Sequence, residues 1–105
     1  MNYDIGFIGF INAGGSLPLG LQCRGGSDVP TAPDAAPSYA VYSPSFGAAL
    51  TTGSLGAADT DTKAGFRTGT LTIDGSFVAG TLYTIRFAWA ISAVAKSAIG
   101  TFMVT

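Results

Sequence analysis

The sequence predicts an all-β protein, an antiparallel β-sandwich of about seven strands. Three observations carry this prediction. In the stretch 80–91, Tyr83, Ile85, Phe87, Trp89 and Ile91 alternate with Thr84, Arg86, Ala88 and Ala90. Side chains alternate faces along a strand, so one face there is continuously apolar; a helical period would scatter the same residues around a cylinder. All the acidic residues are Asp and none is Glu, which suits turns and caps better than helices. Short apolar runs are separated at regular spacing by Gly, Pro, Asn, Asp and Ser, as in sandwiches and barrels.

Taken in order, residues 3–12 read as a strand carrying Gly6 and Gly9, which mark a bulge or a close approach by another backbone. A turn at 13–16 leads to a second strand in which Leu17, Leu19 and Leu21 alternate with Pro18, Gly20 and Gln22. Pro18 restricts that strand to an edge or a strand start. Together 3–23 predict a first hairpin. Residues 24–37 hold Pro30, Pro33, Pro37 and paired glycines, and predict a long irregular connection of the kind that is functional or mobile.

Strands follow at 38–43 and 48–55. The polar segment 57–64 contains Asp59 and Asp61, and a strand from Phe66 sets Thr68, Thr70 and Thr72 against Arg67, Gly69, Leu71 and Ile73. Asp74-Gly75 is a turn dipeptide, and Phe77 covers the next corner. The strand 80–91 and a last strand 96–105 complete the body, with Ala98, Gly100, Phe102 and Val104 on one face. The expected organisation is an N-terminal strand pair or extended arm with its linker, 1–29, and a sandwich body, 30–105. The expected core face is Tyr83, Ile85, Phe87, Trp89 and Ile91.

At 105 residues the chain is one domain. Hydrophobic residues make up 48% and charged residues 10%, against a usual charged share of about 25%. A free monomer normally keeps a mixed charged surface. This exterior must therefore be Gly, Ser, Thr and Ala, or be covered by another protein. The net charge is −1 and the cations Arg24, Lys63, Arg67, Arg86 and Lys96 form no run, which argues against nucleic acid as a partner. The apolar run 5–11 is too short to cross a bilayer and lacks a basic leader, so no membrane role is expected and assembly in a cytoplasm is.

Catalytic chemistry finds little to use. The chain has no His, which removes His-based triads and His metal sites. The single Cys23 permits no internal disulfide and no cysteine cluster. Asp59 and Asp61 are close in sequence but lack the following ligands of a calcium loop, so local turn bonding is their expected role. Gly14-Gly15 and Gly25-Gly26 lack the Gly-Lys-Ser/Thr of a phosphate loop. No enzyme activity, metal or cofactor is expected. Arg86 lies opposite the core face, free to snorkel at the surface or to pair with an acid across an interface.

From residue 30 onward the chain resembles a recurring sandwich. The carrying residues are Pro37-Ser38-Tyr39-Ala40-Val41-Tyr42-Ser43-Pro44, Leu50-Thr51-Thr52-Gly53-Ser54-Leu55, Asp61-Thr62-Lys63-Ala64-Gly65-Phe66 and Ala79-Gly80-Thr81-Leu82-Tyr83-Thr84-Ile85. The Asp-x-x-x-Gly-aromatic and Ala-Gly-x-x-Tyr steps are similar to those of small virion proteins of tailed bacteriophages with immunoglobulin-like or transthyretin-like sandwiches. The Cys…Trp…Cys set of true immunoglobulin domains is missing. The resemblance implies a virion structural protein, first a capsid decoration or minor capsid subunit. Alternatives are a head-to-tail connector, a tail or fibre component, or a surface adhesin that binds carbohydrate. The implied partners are other copies of the chain and other virion proteins such as the major capsid protein. Ile5, Phe7, Ile8, Phe10 and Ile11, with Leu17, Leu19 and Leu21, are the expected interface residues, because 3–12 is apolar on both faces and a strand buried on both faces reads this way.

Overall fold

Period-two alternation dominates the sequence, and in a computed structural model the chain folds as two packed β-sheets. Residues 2–25, 29–57 and 65–105 are described, with side chains except at 2–5, 7 and 57. The strands are β1 (Asn2–Ile11), β2 (Ser16–Gln22), β3 (Ser38–Tyr42), β4 (Thr51–Ser54), β5 (Gly56–Ala57), β6 (Phe66–Thr72), β7 (Leu82–Ile91) and β8 (Val94–Val104). One sheet has the order β1-β8-β7-β3-β4 and the other β2-β6-β5. Every pairing is antiparallel except β1 on β8, which is parallel.

With β4 set aside as an added edge strand, β3, β7 and β8 take the third, sixth and seventh places of an immunoglobulin-like sandwich and β2, β5 and β6 the second, fourth and fifth, while β1 lies beside β8. A second hallmark is present at Tyr83, the second residue of β7. Its buried hydroxyl accepts a 2.7 Å hydrogen bond from the Val78 backbone N–H, closing the corner between the sheets as tyrosine corners do. Two residues on, where antibody domains carry a bridging cysteine, stands the fully buried Ile85.

The core fills the space between the sheets. From the larger sheet come Val41, Tyr83, Ile85, Phe87, Trp89, Ile91, Phe102 and Val104; Leu19, Leu21, Cys23, Leu71 and Ile73 face them. Phe77 caps one end, its ring 4.9 Å from Tyr83 in an edge-on contact. The expected core face of β7 is buried at all five positions. Cys23 is fully buried in this core.

The N-terminal region differs from the arm or hairpin expected over 1–29. β1 and β2 do not pair with each other; they close the edges of different sheets. The short link between them is a crossover: the Ala13 N–H bonds Thr105 O at 3.1 Å, at the end of β8, while the Gly14 N–H bonds Ile73 O at 2.8 Å, beyond β6. The apolar run that suggested two buried faces has a local cause. The register of β1 on β8 slips between Asp4 and Gly6 and again between Phe7 and Gly9. Each bulge inserts one residue and resets which face the chain presents, and Gly6 and Gly9 adopt the positive φ this requires. Ile8 lies against Gly100, whose missing side chain makes room for it, and Ile11 packs on the core.

The 24–37 connection is also tied down where described. The Thr31 N–H bonds Cys23 O at 3.0 Å, and the Asp34 N–H bonds Ala90 O at 2.8 Å. The Asp34 carboxylate accepts from the Ser92 and Ala93 N–H groups at 2.9 and 2.8 Å. Those two residues form the β7–β8 hairpin turn with φ of 49° and 65°, the positive-φ pair that the tightest hairpins use. The segment expected to carry an arm away from the body thus braces its longest hairpin.

Candidate functional site: the outer face of the five-stranded sheet

The face of β7 opposite the core carries Leu82, Thr84, Arg86, Ala88 and Ala90. Register fixes its neighbours. Arg86 lies opposite Ile99 on β8 and Ala40 on β3, and Ile99 lies opposite Asp4 on β1. One row across the sheet is therefore Ala40–Arg86–Ile99–Asp4. A second row, toward the Phe77 end, is Leu82–Met103–Phe10.

The composition of this face is unusual for a solvated sheet. Phe10 is 70% exposed, Leu82 43% and Ile99 40%. Tyr42 projects from the end of β3, and Phe46, 62% exposed, stacks beside it at 6.1 Å. Phe46 sits at φ 54°, in the left-handed region that bulky residues rarely occupy. Its N–H donates to Ser43 O at 3.0 Å, and this tight turn aims the ring along the sheet.

Two adjoining depressions run over the face. One, about 410 Å³, lies over β3 and β4 and is bounded by Tyr42, Thr52, Ser54 and Arg86. The other, about 360 Å³, lies between Tyr42, Phe46, Arg86 and Ile99. Arg86 divides them. It is exposed and makes no ion pair among the described residues; the described Asp34 and Asp74 carboxylates serve turns. The face thus offers one cation within an apolar and aromatic field, and aromatic residues and Arg are the types that dominate protein contacts.

The expected interface residues are spread over the molecule. Phe10 is on this face, while Ile8, partly exposed, lies against Gly100 on the core-facing side of β8. Leu19 and Leu21 are buried in the chain's own core, with Ile11 and Leu17 packed against it, so their period-two pattern marks the inner face of β2. The side chains of Ile5 and Phe7, and Asp59 and Asp61 altogether, lie outside the described residues. Sequence reasoning missed Leu82, Ile99, Met103 and Tyr42. A signal for two of them was present: Ile99 and Met103 are the large apolar residues on the polar parity of the last strand.

Among the described residues, no three His, Cys, Asp or Glu side chains come together as metal ligands would, and no helix is long and apolar enough to cross a membrane. The chain matches no family model, and neither a curated protein nor a solved structure matches it.

Proposed function

We propose that this chain is a non-enzymatic structural subunit that works by packing against other protein, and that its place is a tailed-bacteriophage virion, first as a capsid decoration or minor capsid protein. The observation that carries the assembly part is the outer face of the five-stranded sheet, where Phe10, Leu82 and Met103 form one row and Ile99 stands beside Arg86 in another, with Thr84 and Thr101 between them. Contiguous exposed apolar surface on a small protein marks a site of association, and a chain with 10% charged residues desolvates few charges when covered. The virion part rests on the resemblance of residues 30–105 to phage sandwiches.

Immunogold labelling of particles purified from cells that make the protein tests this. Regular decoration of the particle surface supports a shell role, and label confined to one vertex supports a connector or tail role. Recovery only in the particle-free fraction sinks the proposal. A second reading is favoured by Tyr42 and Phe46 beside the groove: a surface module that stacks a sugar on its aromatic rings. Glycan binding lost on Tyr42→Ala and Phe46→Ala together supports it.

A further inference from the structure

The register of β3 turns part of the outer face into a bowl. β3 runs between β7 and β4. Val41 is buried and Tyr39 packs on the core, so Ser38, Ala40 and Tyr42 face outward. Ala40 lies opposite Arg86 on β7 and Thr52 on β4, and Ser38 lies opposite Ser54. One methyl is thus ringed by larger side chains: Tyr42 and Ser38 along its own strand, Arg86 and Thr52 across it. The depression of about 410 Å³ stands over this base. Strand spacing and rise per residue make the ring roughly 10 Å wide from Arg86 to Thr52 and roughly 14 Å long from Tyr42 to Ser38. Among the described residues, the Ser38, Thr52, Ser54 and Tyr42 hydroxyls have no hydrogen-bond partner, nor has the Arg86 guanidinium, and no described carboxylate lines this depression or its neighbour. Beyond Arg86, the second depression adds the stacked Tyr42 and Phe46 rings and Ile99. A molecule seated across Arg86 meets unused hydroxyls on one side, apolar rings on the other and one cation between them.

We infer that this groove binds an acidic oligosaccharide, with Arg86 paired to the carboxylate of a hexuronate unit and Ser38, Thr52 and Ser54 bonded to sugar hydroxyls. The Tyr42 and Phe46 rings lie against the apolar face of a neighbouring unit. The guanidinium fork matches a planar carboxylate with two parallel hydrogen bonds. A phosphate monoester carries nearly two negative charges, and the groove offers one positive. An acidic peptide needs apolar sockets for its side chains, whereas the base of this bowl is a single methyl among hydroxyls. Each depression falls within the range of small-ligand sites, about 300–1,000 Å³, and their continuity past Arg86 suits more than one sugar unit. The inference rests on the reading of this face as a module that stacks a sugar, and it names the class of sugar. The apolar row Leu82–Met103–Phe10 lies over β7, β8 and β1, so packing against protein there uses other residues.

Calorimetric titration of the full chain tests it. The probes are trisaccharides of galacturonic, glucuronic and mannuronic acid, each beside its carboxyl-reduced neutral form, and an oligoglutamate peptide. At least one acidic trisaccharide is expected to bind, with its neutral form about tenfold or more weaker. Arg86→Gln should bring the acidic form down to the affinity of the neutral one, leave the neutral one unchanged and remove the salt dependence of binding. Ala40→Leu fills the bowl from its base and should abolish binding of both forms. Far-ultraviolet circular dichroism confirms that each variant is folded. Equal affinity for acidic and neutral forms overturns the inference and leaves the sugar-stacking reading standing. Absence of binding by every trisaccharide overturns both. Acid binding indifferent to Arg86→Gln, or an oligoglutamate peptide bound as tightly as the acidic sugars, overturns the inference as well.

Discussion

Three residues hold local geometry that their neighbours cannot supply. Tyr83 is one: its hydroxyl is the bonded partner of the Val78 N–H at 2.7 Å, and its ring stacks 5.8 Å from Phe102. Tyr83→Phe keeps the ring and removes the acceptor, so it is expected to lower stability by roughly 1–2 kcal/mol, read as a lower urea midpoint at unchanged slope. Gly65 is another. It has φ 78°, and a side chain there would run into the Thr31 backbone and stand 3.0 Å from Cys23 O. Gly65→Ala combines left-handed strain with overpacking against main chain and should cost roughly 2–4 kcal/mol. Ala93 is the opposite case, a residue with a Cβ held at φ 65° where glycine is preferred. Ala93→Gly should raise stability by roughly 0.5 kcal/mol; a fall would mean that the Asp34 carboxylate already offsets the strain.

At the scale of elements, much was legible where alternation is local. β7 shows its inner and outer faces in its own sequence, and Pro18 restricts β2 to an edge, which β2 is. β1 was not legible in this way, because two bulges convert period two into irregular spacing and a bulge depends on the partner strand. The failure of β1 and β2 to pair was equally hidden, since it depends on Thr105 and Ile73 receiving the crossover. The outer-face site was half visible, in the parity of Ile99 and Met103, and half not, because Phe46 joins it through backbone geometry. Removal of residues 1–29 is accordingly expected to unfold the protein. It strips an edge from each sheet and takes Leu19, Leu21 and Cys23 from the core, a loss visible as collapsed amide dispersion in NMR. The turn after β6 gives a pH prediction. The Ser76 hydroxyl and the Ser76 N–H both donate to the Asp74 carboxylate, holding its pKa below the ordinary carboxylate range. A depressed folded-state pKa contributes stability that is present above the unfolded pKa and is lost as pH falls through the folded value. Carboxyl-detected titration should show Asp74 moving up toward the ordinary range in Ser76→Ala, with the native fold retained.

At the scale of the whole molecule, the question is whether the apolar outer face serves folding or association. The inner faces are occupied by a core from both sheets, and Phe10 and Leu82 stand on the other side of the five-stranded sheet, 70% and 43% exposed. Phe10 gains little from folding of its own chain, because most of its surface stays in water, and Leu82 keeps a large part of its surface exposed. Phe10→Lys combined with Leu82→Glu is therefore expected to change the unfolding free energy by less than about 1 kcal/mol while abolishing self-association and raising solubility. Chemical denaturation and light scattering on the same samples check both halves. A large loss of stability would show that these residues work within the monomer, and the face would lose its standing as an interface. Unchanged stability with undiminished association would move the contact elsewhere, to the bulged edge of β1 or to the short strand β4. Lost association with intact stability would establish that the scarcity of charge in this chain is selected at the level of the assembly, where the exposed sheet becomes an interior.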